Sequence, residues 1–155
     1  MGNTSFASLL KKYCLSRKPM RILEWGPGES TEMMIEWCPE AEIYTMEHIS
    51  KWYDHWSKKF SKMKTINNLF MFLVEAPENN REDILWGHYT QPELFKKFDL
   101  IFIDGRERVR CMKYAKKMLS GGGVVILHDA HRGEYQKGIE LFKVIDKDHD
   151  TVVME

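Results

Sequence analysis

The sequence predicts an α/β protein: a doubly wound, mostly parallel seven-stranded sheet with a C-terminal antiparallel hairpin and helices on both faces, in one domain spanning residues 1–155. Three observations predict it. Short apolar runs alternate with segments of helical spacing along nearly the whole chain. Polar residues gather at the ends of those runs, at Glu24–Gly28, Glu47-His48, Glu75-Ala76, Asp104-Gly105 and His128-Asp129. The last two apolar runs, "LFKVIDK" and "TVVME", are joined by the polar turn Asp148-His149-Asp150, a hairpin pattern.

In chain order, "SFASLLKKYCL" carries Phe6, Leu9, Leu10 and Tyr13 at helical spacing, and Pro19 separates it from a first strand over Arg21–Trp25. A helix from about Ser30 to Trp37 follows, with Ser30 or Thr31 available as a cap and Pro39 ending it. "EIYTMEH" reads as the second strand. "SKWYDHWSKKFSKM" reads as an amphipathic helix that places Trp52, Tyr53, Trp56 and Phe60 on its core face. "NLFMFLVEA" is an unbroken apolar run of the kind buried on both faces of a parallel sheet. A short helix is expected over Pro92–Lys97, then the fourth strand "FDLIFID". A helix from about Val109 to Leu119 should stop at Gly121-Gly122-Gly123, before the fifth strand "VVILHDA" and a short helix near Tyr135–Glu140.

Lys plus Arg and Asp plus Glu number 23 each, so the chain has no net field to draw in a nucleic-acid backbone or an anionic membrane. Lys51, Lys58, Lys59, Lys62 and Lys64 read as a solvated helix face, because no neighbouring segment extends them into a basic stripe. Three scattered cysteines, Cys14, Cys38 and Cys111, lack metal-ligand spacing and read as reduced thiols. With no long apolar run near the N-terminus, these features point to a soluble cytoplasmic protein.

"ILEWGPGESTEM" carries the chemistry. A strand ending in Gly26 and Gly28 lets a ligand approach the backbone, and the following helix presents free N–H groups to it. Glu47 ends the second strand roughly 20 residues on, where nucleotide-binding folds place an acid for ribose hydroxyls. The dinucleotide fingerprint wants a third Gly or Ala at position 31; Thr31 stands there, which disfavours NAD.

"LEWGPGEST", Glu47, "LVEAP", "FDLIFIDG" and "GGGVVILHDA", in that order and spacing, resemble the class I S-adenosylmethionine-dependent methyltransferases. The resemblance implies a cofactor loop of Glu24, Gly26 and Gly28, with Ser30 or Thr31 near the methionine portion. It implies Glu47 at the ribose, His48 flanking the purine, Glu75 and Ala76 by the adenine, and Asp104 closest to the reacting methyl group. It further implies a small-molecule acceptor, methylated on oxygen, with a non-catalytic S-adenosylmethionine or S-adenosylhomocysteine-binding module of the same fold as the alternative. Nucleic acid is disfavoured as acceptor, because "IDGR" stands where the amino-methylating enzymes carry an Asn or Asp, two prolines and an aromatic.

For catalysis the expected residues are Asp104, His128 and Asp129. In the catechol-type O-methyltransferases, the positions of Asp104 and Asp129 hold a divalent cation, so Mg2+ is expected as a second cofactor, although Ala130 replaces a third ligand. The metal-free variant uses His128 or His131 as general base. Arg106, His131, Arg132 and Tyr135 are expected at the acceptor's mouth, with Arg106 the anchor for an anionic acceptor; Arg108 and Arg110 read as a solvated helix start.

Overall fold

Five parallel strands and an antiparallel pair form one sheet in a computed structural model that describes residues 5–64 and 68–155. The strands are β1 (Arg21–Trp25), β2 (Glu42–Glu47), β3 (Leu69–Leu73), β4 (Phe98–Ile103), β5 (Leu119–Leu127), β6 (Val144–Asp148) and β7 (Thr151–Met154). They lie in the order β3-β2-β1-β4-β5-β7-β6, with β7 antiparallel to both neighbours. Strand order reverses between β1 and β4, the position where such sheets open a crevice at their carboxyl ends.

Alternation along each strand feeds two cores. Ile22, Leu100, Phe102, Val124 and Ile126 face one side, against α1 (Ala7–Arg17), α2 (Glu29–Trp37) and the end of α3 (Ser50–Phe60). Leu23, Trp25, Ile101, Ile103, Val125 and Leu127 face the other, against α4 (Ile84–Thr90), α5 (Arg108–Met118) and α6 (Gln136–Ile139), the last entered through one 3-10 turn over Gly133–Tyr135. Cys14, Cys38 and Cys111 are buried and free. Among the described residues, no helix is long and apolar enough to cross a membrane.

The expected architecture is present, with four local corrections. The helix of the loop after β3 lies at Ile84–Thr90, capped by Asp83, which accepts the Leu85 N–H at 2.9 Å; Pro92–Lys97 is not helical, and Phe95 there has φ +51°. The anchors Trp86 and Tyr89, one turn apart, set that helix by burial. β3 is an edge strand, so Phe70, Phe72 and Leu73 remain exposed where burial on both faces was expected. The triplet Gly121–Gly123 lies inside β5, where the pairing with β4 slips between Phe98–Leu119 and Leu100–Val124, and α5 stops earlier at Met118. Finally, only Phe60 of the aromatic face of α3 is buried.

Candidate active site

The chain leaves β1 through Gly26-Pro27-Gly28, and the two glycines meet different neighbours. Gly26 has φ +88° and donates its N–H to the Met46 carbonyl at 3.0 Å. A Cβ on it would stand 3.0 Å from the backbone of Asp104 and Gly105, so its bareness serves the end of β4. Gly28 has extended backbone, and a Cβ there would meet only Trp56, at 3.7 Å. Its open side faces a cavity.

Glu24 braces this turn from behind. Ser30 Oγ donates to one of its oxygens and Thr31 Oγ1 to the other, at 2.6 Å for Thr31, while the Gly28 N–H donates to Thr31 Oγ1 at 3.0 Å. Burial pushes the Glu24 carboxyl up to about 7, against the pull of both hydroxyls. Glu24 and Thr31 are sealed from solvent and shape the loop without lining the cavity; Ser30 does line it.

Two compartments meet on the turn, sharing Gly26, Pro27, Trp56 and Asp104. One, of about 380 Å3, adds Glu47, His48, Trp52 and Tyr89; the other, of about 350 Å3, adds Phe6, Gly28, Ser30 and His128. Each falls within the usual span of ligand sites, roughly 300–1,000 Å3. Glu47 Oε1 accepts the N–H groups of His48 and Ile49 at 2.7 and 2.9 Å, which fixes the carboxylate at the start of α3. Its Oε2 accepts no hydrogen bond among the described residues. His48 Nε2 lies 2.6 Å from Glu78 Oε1, with Trp86 and Tyr89 packed around its ring. Burial opposes charge on this imidazole, but Glu47 and Glu78 outweigh burial and hold its pKa above the ordinary value.

The carboxylates at the ends of β4 and β5 do converge, on a cation the sequence reading placed in solvent. Arg108 is 8% exposed, and its guanidinium lies 3.2 Å from Asp104 Oδ1 and 3.5 Å from Asp129 Oδ2. It also donates to the carbonyls of Gly105 (2.9 Å), His128 (2.7 Å) and Asp104 (3.3 Å), and sits over the Tyr135 ring. His128 Nδ1 donates to Asp104 Oδ1 at 2.9 Å. Its Nε2 lies 3.2 Å from Ser5 Oγ, whose hydroxyl donates to Asp150 Oδ1. Burial disfavours the imidazolium, yet Asp104, Asp129 and Asp150 together raise its pKa.

Both nitrogens of the His128 ring are engaged, Nδ1 on Asp104 and Nε2 beside Ser5 Oγ, where a general base needs one turned to its substrate. One expectation changes here. The ligand atoms of Asp104, His128 and Asp129 lie within 4.8 Å of one another, but this set does not fit Mg2+. Arg108 already neutralises both carboxylates, the third member offers a ring nitrogen already turned to Asp104, and Ala130 adds no oxygen, whereas Mg2+ demands an octahedron of oxygens.

Arg106, Arg132 and Tyr135 come together in a bowl of about 540 Å3 beside the compartment that Glu47 lines. His131 is exposed and lies with Asp129 and Asp150 outside that bowl. Glu75 is exposed and Ala76 is buried in the core, and neither borders either compartment. Trp52, expected on the core face, walls the cavity instead, while Trp56 packs against the core beside Phe60 and also lines both compartments. Their place immediately after the β2 acid, rather than their spacing, was the available signal.

No protein-family model matches the sequence, and comparison with curated proteins finds no relative. The fold does have solved counterparts. A methyltransferase-like protein from Silicibacter pomeroyi superposes with a TM-score of 0.78 over 99% of this chain and 85% of its own, at 18% identity. The methyltransferase PaMTH1 of Podospora anserina, solved with S-adenosylhomocysteine bound, gives 0.72 over 99% and 78% at 21% identity. Precorrin-6y C5,15-methyltransferase from Geobacter metallireducens gives 0.68 over 99% and 87% at 14% identity. The chain thus has the Rossmann-like fold of class I S-adenosylmethionine-dependent methyltransferases.

Proposed function

We propose that the protein is an S-adenosylmethionine-dependent methyltransferase acting on an oxygen of a small-molecule acceptor, in the cytoplasm. One observation carries the reading: the open face of Gly28, the unengaged oxygen of Glu47 and the carboxylate of Asp104 all border compartments that meet at the switch point of this fold. Glu47 Oε2 would accept from ribose hydroxyls, and the first N–H groups of α2 would face the cofactor's carboxylate. Trp52 and Trp56 would cover the nucleoside and exclude water. The free cysteines suit a reducing compartment.

S-Adenosylmethionine supplies an electrophilic methyl group on a sulfonium, so the chain's own task is alignment. Asp104 Oδ1 is fixed by His128 and Arg108, while Oδ2 accepts no hydrogen bond among the described residues. Oδ2 would accept the acceptor's O–H and point the oxygen lone pair along the displacement axis, its proton leaving to water. No step requires a metal. The second reading, a non-catalytic cofactor-binding module, is favoured by the full engagement of His128. Transfer of labelled methyl from S-adenosylmethionine across a panel of hydroxyl acceptors, with and without chelator, separates the two: product formed in chelator supports the first, and binding without product supports the second.

A further inference from the structure

We infer that the acceptor carries a phosphate or carboxylate, held in the basic bowl by Arg106, Lys113, Arg132 and Lys137. The identity of the bound molecule as a methyl acceptor rests on the reading above; the anion site rests on the bowl itself. The bowl shares Gly105, Arg106 and Arg108 with the cofactor compartment, so a molecule anchored in it reaches the Asp104 ridge.

The charge there is local. The chain balances 23 basic residues with 23 acidic ones, yet this wall carries seven basic side chains and only the two acids Glu107 and Glu134. Three of the seven are already answered: Arg81 lies 2.6 Å from Glu78 and 3.3 Å from Glu107, Arg110 lies 3.4 Å from Glu107, and Arg108 serves Asp104 and Asp129. The other four keep donors free. Lys113 and Lys137 pair with no carboxylate among the described residues. Arg106 gives only its Nε to Glu78, at 3.3 Å, and Arg132 gives Nη2 to Asp129, at 3.0 Å, with Tyr135 and Glu134 also facing it. Like charges gathered around one depression repel, and an anion between them removes that cost. The two guanidinium forks match the paired oxygens of phosphate or carboxylate, and the two lysines add adjustable point charges. The confined depression suits a small molecule, and the zero net charge offers no field for a polyanion.

The test is calorimetric titration of inorganic pyrophosphate and, separately, citrate into the wild-type chain and into the double variant Lys113→Gln/Lys137→Gln, with S-adenosylhomocysteine titrated into both. The two anions distinguish the phosphate source from the carboxylate source. At least one should bind wild type, at least tenfold more weakly in the double variant and more weakly as salt rises. S-Adenosylhomocysteine affinity should not change and the thermal midpoint should not fall, since both lysines are exposed and neither lines the cofactor compartments. Equal anion affinity in the two proteins, or no binding of either anion, overturns the inference even where S-adenosylhomocysteine binds. Anion binding that obeys the prediction in a protein that ignores S-adenosylhomocysteine keeps the anion site and removes the methyltransferase reading.

Discussion

Nη2 of Arg108 lies 3.2 Å from Oδ1 of Asp104, four residues earlier, with both side chains mostly withdrawn from water. This pair, extended to Asp129, occupies the place where a metal-assisted methyltransferase would hold its ion. A guanidinium supplied by the chain offsets the carboxylates' repulsion permanently, without a cation's exchange kinetics.

Removing one partner of such a buried pair leaves charge uncompensated. Arg108→Gln should therefore lower unfolding free energy by about 3–5 kcal/mol, measured by urea denaturation. Millimolar Mg2+ should leave the wild-type midpoint unmoved but raise that of the variant, whose freed Asp104 and Asp129 can take an ion. Stabilisation of the wild type by Mg2+ would restore the metal assignment.

Glu24 predicts the direction of pH dependence. Its folded pKa of about 7 lies above the ordinary 4.5, so between those values the folded chain binds more protons than the unfolded one. Stability should fall as pH rises through that window, by roughly 3 kcal/mol from this group, and level off above it. His128 and His48, also raised, add stability below the ordinary histidine value that is lost as pH climbs through their folded pKa values. Glu24→Gln should flatten the slope between pH 5 and 7; chemical denaturation at several pH values reads it, and an unchanged slope removes the assignment.

The two glycines separate folding from binding. Gly26→Val puts a branched side chain at positive φ against the Asp104–Gly105 backbone and should destabilise the fold. Gly28→Val meets only the side chain of Trp56, so it should keep near wild-type thermal stability while blocking S-adenosylhomocysteine. Full binding by the Gly28 variant would move the cofactor off this loop.

Much of the sheet was legible in the sequence because the strands of a buried parallel sheet are apolar runs closed by polar residues, as in "RILEW" and "FDLIFID". Edge position was not legible. "NLFMFL" looks as apolar as a central strand, and its exposure follows from lying outermost beside β2. The helix at Ile84–Thr90 was hidden by Gly87 and a polar approach, since Trp86 and Tyr89 are the only apolar residues on its buried side, beside Thr90. At the site, the glycine turn, Glu47 and Asp104 were readable from fixed order along the chain. Arg108 was not, because "DGRERVR" offers three arginines, and which one turns inward depends on the left-handed Glu107 that starts α5. The setting of His128 was not legible either, because Ser5, 123 residues before it, and Asp150, near the C-terminal end of the sequence, meet its ring, a juxtaposition no local pattern encodes.

Calorimetric titration of S-adenosylmethionine into the wild-type chain and into Glu47→Ala tests the central claim most directly. One cofactor should bind per wild-type chain, and the variant should lose about 1–3 kcal/mol of binding free energy as the ribose hydroxyls lose their acceptor. No heat from a folded wild-type protein, or equal affinity in the variant, would contradict the account.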